Sequence, residues 1–257
     1  MHDYSEIHYG HTILTEYFSD QSRLSRFLQC CSNNSPQGGL DLFNQWWNTN
    51  LSETYIACFS EHDRSEDIYG RLSMWRSFNR GTVGVALIIN VPKVDLANPS
   101  WGVVLAKVKY LTGQQLTQEL DALIQRLENA KQTIDSYSPQ VIAAFIYAAL
   151  LMFTVATKHP GFKEEREWRV LRLPSAPNSS PILSPGIEVV SGVPQSIYKL
   201  DFKNVPANNI SGMSLEELLY QLVIGPTQYE DTVRATLVSI LKRKCGRRSE
   251  IVGIRAE

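Results

Sequence analysis

The chain lacks a surplus of charge of either sign: 25 Lys and Arg stand against 26 Asp and Glu, a formal net charge of −1 over 257 residues. That balance removes the electrostatic argument for a general nucleic-acid binder. Its four cysteines, Cys30, Cys31, Cys58 and Cys245, form neither a zinc-ligand spacing nor a disulfide framework. They read as reduced thiols of a cytosolic protein, with neighbouring Cys30 and Cys31 directed apart on any regular element. The most apolar run, VIAAFIYAALLMFTVA from Val141 to Ala156, falls short of the roughly 20 residues that cross a bilayer. It stops at Lys158-His159-Pro160-Gly161 and predicts a buried central helix rather than a membrane segment. Met1 to Gly10 is polar and has no signal-peptide core, which points to a cytoplasmic protein with no membrane partner. A phosphate loop, GxGxxG, HExxH and GxSxG are all missing, so the familiar nucleotide, zinc-protease and serine-hydrolase fingerprints do not apply.

The hydrophobic pattern predicts a mixed order of elements. Glu6 to Tyr9 suggests a short first strand, and Thr12 to Cys31 has helical spacing through Ile13, Leu14, Tyr17, Phe18, Leu24, Phe27 and Leu28. Asn33 to Gly39 is a loop by composition, followed by an aromatic helix at Leu42 to Trp47. Thr54 to Ser60 alternates as a strand; Leu72, Trp75 and Phe78 recur at helical spacing; Val83 to Asn90 reads as a strand buried on both faces. Trp101 to Tyr110 is a further strand, Gln114 to Thr133 an amphipathic helix, and Glu165 to Leu173 a strand. Pro174 to Pro185 reads as a surface loop and a candidate lid. Strands begin at Val189 and at Ile197, a helix covers Leu215 to Leu222, and a short strand covers Leu222 to Gly225. A last helix spans Thr232 to Lys242 and a last strand Glu250 to Ile254. Without a regular βαβ rhythm the expected class is α+β: one domain over residues 1–257, with a mixed or antiparallel split sheet and flanking helices.

Three clusters carry candidate chemistry. The first is His8-Tyr9-Gly10-His11, where two histidines flank an aromatic residue and a glycine. The second is the strand end at Cys58-Phe59-Ser60, followed at once by Glu61, His62 and Asp63 and then by the helix of Trp75. Ser60 brings a hydroxyl that donates and accepts, and Trp75 is either core packing or a wall of a ligand cleft. The third is Glu165-Arg166-Glu167-Trp168-Arg169. On a strand Glu165, Glu167 and Arg169 share one face, as a surface ladder of ion pairs or as an acidic pair held ionised by Arg169. A carboxylate so placed can hold a sugar hydroxyl and stabilise positive charge developing on a ribose carbon. The basic run Lys242 to Arg248 suits a helix terminus or a phosphate patch.

These clusters, in this order, resemble the bacterial domain-of-unknown-function family number twenty-nine seventy-one. The matching residues are His8 and Tyr9; Cys58, Phe59, Ser60, Met74, Trp75 and Gly84; Phe162, Lys163, Glu165, Glu167, Trp168 and Arg169; and Ile224, Gly225 and Pro226. The family's usual Asn-Asp-Pro-Phe-Glu after the first helix is replaced by the stretch from Asn33 to Trp47. The motif order is also similar to that of ADP-ribosyltransferases. That resemblance implies an ADP-ribosyltransferase-like fold with NAD as co-substrate and a protein or nucleic-acid target. The biological setting it implies is a toxin or anti-phage effector with an antitoxin or regulatory protein as partner. It assigns Glu167 to the nicotinamide ribose and the oxocarbenium-like transition state, and Glu165 to the acceptor. It assigns His8 to the adenosine ribose, Tyr9 or Trp75 to nicotinamide, and Ser60 to the ribose pocket, while Arg169, by the charge argument above, keeps the acidic pair ionised. The competing expectations are a non-catalytic nucleotide- or partner-binding module on the same fold, and a hydrolase or nuclease using Glu165, Glu167 and His62 with a metal.

Overall fold

The structure, a computed structural model, describes residues 4–31, 34–78, 83–91, 101–176, 180–190, 192–245 and 253–256. Along the chain run α1 (Tyr4–Ser19), α2 (Gln21–Gln29), α3 (Ser35–Gln45), β1 (Tyr55–Ser60), α4 (Leu72–Phe78), β2 (Val85–Ile89), β3 (Val104–Lys107) and β4 (Lys109–Tyr110). Then follow α5 (Gly113–Asn129), α6 (Lys131–Ile134), α7 (Pro139–Val155), β5 (Thr157–Lys158), a 3-10 turn (Pro160–Glu165) and β6 (Glu167–Arg172). The remainder is β7 (Leu183–Val190), β8 (Val193–Leu200), α8 (Leu215–Leu218), β9 (Leu219–Ile224), α9 (Glu230–Cys245) and β10 (Gly253–Ala256). The class is α+β. The contacts fall into two compact units, Met1–Phe59 with Leu105–Pro174, and Ser60–Val104 with Ser175–Glu257.

In the first unit the helices pack around α7. Leu14 and Tyr17 of α1, Phe27 of α2, Phe43 of α3, and Leu120 and Ile124 of α5 join Ile146, Leu150 and Leu151 of α7 in one core. The expected first strand at Glu6–Tyr9 is instead part of α1, which continues unbroken to Ser19. Gly10 is the reason α1 can lie so close to α7. A Cβ there would come within 2.8 Å of the Thr154 carbonyl oxygen and 2.9 Å of its Cα. Backbone cannot yield as a side chain does, so Gly10→Ala should destabilise by about 1–3 kcal/mol through overpacking. Helix propensity alone argues the opposite sign, a gain of about 1 kcal/mol. A thermal melt of the variant decides between them.

The expected loop at Asn33–Gly39 is largely helix, with Ser35 opening α3 and Pro36 in its first turn. Gly38 and Gly39 serve helix contact instead of a turn: a Cβ on Gly39 would sit 2.5 Å from Cγ2 of Ile146. α7 is buried along Ile142, Ile146, Leu150 and Val155, but Val141 and Phe145 face outward. The N-terminal half of the central helix is therefore covered on one side only, whereas Leu150 to Val155 are buried or half-buried all round. No described helix is long and apolar enough to cross a membrane. The cysteine expectation also changes. Buried Cys30 and Cys31 approach to 3.8 Å, sulfur to sulfur, at the end of α2.

This unit also holds the sheet β1-β6-β3 and the parallel pair β4-β5. The expected strand from Glu165 starts later. Glu165 ends the 3-10 turn, Arg166 takes a left-handed conformation at φ 44, and β6 begins at Glu167.

In the second unit β9 is central, with β10 parallel on one side and β2 antiparallel on the other. Among the described strands β2 is thus an edge strand, and Leu87 is exposed, correcting the expectation of burial on both faces. The expected helix at Leu215–Leu222 gives one turn, α8, before the chain extends into β9. β7 and β8 form an antiparallel hairpin that already begins at Leu183, inside the expected Pro174–Pro185 loop. Residues 177–179 of that loop, and Arg247 and Arg248 of the basic run, lie outside the described residues.

Candidate functional site

β6 alternates in burial, with Glu167, Arg169 and Leu171 inward and Trp168 and Val170 half-exposed. Period-two geometry therefore sends a carboxylate and a guanidinium inward from the same face of one strand. Glu167 is 4% exposed and Arg169 is 0% exposed, so this is no surface ladder. Arg169 donates from Nε to Oε1 of Glu167 at 2.7 Å and from Nη2 to Oε2 at 3.4 Å. Its Nη1 donates to the Val155 carbonyl at 2.6 Å, which ties the end of α7 into the same network.

The second cation is Lys158 of β5, 1% exposed. Its Nζ donates to Oε2 of Glu167 at 3.1 Å and to Oε2 of Glu165 at 2.5 Å, and lies 4.8 Å from the ring centre of Phe162. Two carboxylates and two cations meet in one node, which balances the charge that burial would otherwise penalise. The Tyr110 hydroxyl accepts the backbone N–H of Glu167 at 2.8 Å. Burial raises the Tyr110 phenol, and the charges of Glu167 and Glu165 push it the same way. Cys58 of β1, an exposed cysteine, donates a hydrogen bond to Glu167.

Burial pushes the Glu167 carboxyl up. The hydrogen bonds from Arg169 and Cys58, with the charges of Arg169 and Lys158, more than offset that and hold it below the ordinary glutamate range. A carboxyl depressed on folding contributes stability in full above its unfolded value of about 4.3 and loses it as pH falls through its folded value. The melting temperature should therefore fall on acidification below about pH 4.5. Glu167→Gln should flatten that acid limb; an unchanged limb in a folded variant would place the depressed group elsewhere.

The remaining candidates have other partners. His8 and Tyr9 lie on α1, not on a strand. The His8 ring meets Trp47 edge-on at 4.9 Å. The Tyr9 hydroxyl donates to the Leu111 carbonyl at 2.7 Å, and its ring meets His159 at 5.7 Å. In the second unit, the Ser60 hydroxyl accepts from Nη1 of Arg71 at 2.9 Å, and Arg71 is paired with both oxygens of Glu66. Trp75 is buried and donates its indole N–H to the Tyr69 carbonyl at 2.9 Å. Its ring packs against Gly225, where a Cβ would come within 2.8 Å. Trp75 is thus core packing. His62 bonds Asp67 at 2.7 Å and lies 3.7 Å from Glu66. Among the described residues no group of three His, Cys, Asp or Glu side chains is placed to hold a metal ion.

Sequence reasoning placed Glu165, Glu167 and Arg169 on one strand face; Glu167 and Arg169 share the inward face of β6, Glu165 reaches them from the preceding 3-10 turn through Lys158, and Lys158, Tyr110 and Arg71 were missed. One signal for Lys158 was present. Glu165 and Glu167 outnumber Arg169, so an inward-facing cluster needs a second cation, and Lys158 stands at the end of an uncharged helix. No curated protein and no solved structure matches the chain. A family model described as "Protein of unknown function (DUF2971)" matches residues 74–170, which include Tyr110, Lys158, Glu165, Glu167 and Arg169 but neither His8, Tyr9 nor Ser60. The node thus falls within the segment that this family model matches.

Proposed function

We propose that Glu165 and Glu167 are the reacting groups of an NAD-dependent ADP-ribosyltransferase. The observation that carries this reading is Glu167, ionised and fixed in place by Arg169 and Lys158. Stabilising a developing cation requires a carboxylate that is charged before reaction and does not reorganise during it. In this chemistry the bond between ribose C1′ and the nicotinamide nitrogen breaks, the electron pair leaves with nicotinamide, and positive charge gathers on the ribose. Glu167 stabilises that charge. An acceptor on a protein or nucleic acid then attacks C1′, and its proton passes to a base. Glu165, with its side chain 20% exposed, is the more accessible carboxylate for orienting the acceptor. A toxin or anti-phage effector, with an antitoxin or regulatory partner, is the setting that such chemistry suits.

A second reading has its own observation. Glu167 is 4% exposed and already balanced by two cations, as a structural ion-pair network is. The chain would then be a nucleotide- or partner-binding module without turnover. Incubation with NAD, with free nicotinamide measured over time, separates the two. Release supports the transferase; NAD binding without release supports the module.

A further inference from the structure

We propose that Lys158 is a positioning residue that yokes Glu165 to Glu167. The proposal rests on the reading of that pair as the reacting groups. On a continuous strand the pleat would fix the relation of residues two apart. Here the strand does not continue: Glu165 ends a 3-10 turn, and Arg166 in the left-handed region separates it from β6. The pleat therefore does not set where the Glu165 carboxylate lies. The Lys158 ammonium links the two carboxylates directly, at 2.5 and 3.1 Å.

Lys158 is itself well anchored. It pairs with Tyr110 in the parallel β4-β5 ladder, and its carbonyl accepts from the Leu111 N–H at 3.1 Å. The ladder reaches one residue further back, where the Lys109 N–H donates to the Ala156 carbonyl at 2.8 Å. The Phe162 ring lies against its ammonium. Backbone pairing thus fixes the cation, and the cation fixes the spacing of the two acids. Lysine suits this task because its ammonium is a compact point charge with three donors that can bond two carboxylates from different backbone segments.

The test follows the Glu167 carboxyl by carbon NMR through an acid titration, alongside nicotinamide release. Four proteins accompany wild type: Lys158→Met, Lys158→Arg, Glu165→Gln, and the charge-balanced double variant Lys158→Met/Glu165→Gln. The Glu167 midpoint should rise by about one pH unit or more in Lys158→Met and return toward wild type in Lys158→Arg. Nicotinamide release and transfer to an acceptor should fall in Lys158→Met, with the acid limb of the pH profile displaced upward. The combined loss of transfer in the double variant should be smaller than the product of the two single losses, because both changes break the same link. If Lys158→Met does not fold, the midpoint in the double variant should still stand above that in Glu165→Gln alone. An unmoved midpoint in these folded proteins, or strictly additive losses of transfer, overturns the role of Lys158. A wild type that releases no nicotinamide removes the transferase reading instead, and the titration still decides whether Lys158 governs Glu167.

Discussion

Glu167→Gln is expected to lower nicotinamide release by roughly 10²–10³-fold, the range seen when one preorganised electrostatic contact to a transition state is removed. Glutamine keeps the volume of the side chain but not its charge, so the ribose cation loses its counter-charge while the packing around the side chain is kept. The same change has a second effect. Glu167 sits between Arg169 and Lys158, and neutralising it leaves two buried cations with Glu165 as the remaining carboxylate of the node. The protein will therefore be less stable as well, and rates must be compared at equal folded fraction. Glu165→Gln is the informative companion. It removes the more exposed carboxylate and should impair transfer to an acceptor more than it impairs release of nicotinamide. Equal losses of both steps in Glu165→Gln would mean that the two acids do not divide the work as assigned.

Arg169→Met should cost about 3–5 kcal/mol of stability, the usual consequence of removing one partner from a buried ion pair. For a chain of this size that is a fall in melting temperature on the order of 10 °C. Three losses coincide. Glu167 loses its two-pronged donor, the Val155 carbonyl loses an N–H at 2.6 Å, and the link between the end of α7 and β6 is cut. Arg169→Lys should recover only part of this, because an ammonium does not reproduce the planar fork that reaches Glu167 and Val155 together. A melting temperature within about 2 °C of wild type in Arg169→Met would show that the node contributes little to the fold.

The sequence was most legible where one period dominated. β1, α4, α5 and α7 lie where alternation or helical spacing places them. The face shared by Glu167 and Arg169 follows from the pleat alone. It was least legible where glycine served packing rather than turning. Gly38 and Gly39 read as a loop because composition alone does not separate a turn glycine from one that lets α3 approach α7. Gly10 has the same cause, and it made His8-Tyr9 look like a strand ahead of a separate helix. α8 and β9 merged into one predicted helix because Leu218, Leu219 and Leu222 fit either period over so short a span. The node itself was half legible. Its acids announced themselves by spacing, whereas Lys158 lay behind a helix stop signal, and only tertiary structure brings β5 to β6.

The central claim is that the Glu165–Glu167 node breaks the nicotinamide–ribose bond of NAD. The most direct test incubates purified protein with NAD labelled in its adenosine half, together with cell lysate separated into protein and nucleic-acid fractions. Free nicotinamide is measured in the same tubes, and Glu167→Gln is run beside wild type at equal folded fraction. The account predicts nicotinamide release and label transfer by wild type, both reduced roughly 10²–10³-fold in Glu167→Gln, with the labelled fraction naming the target class. Full release by Glu167→Gln, or no release by a wild type that binds NAD, would contradict it.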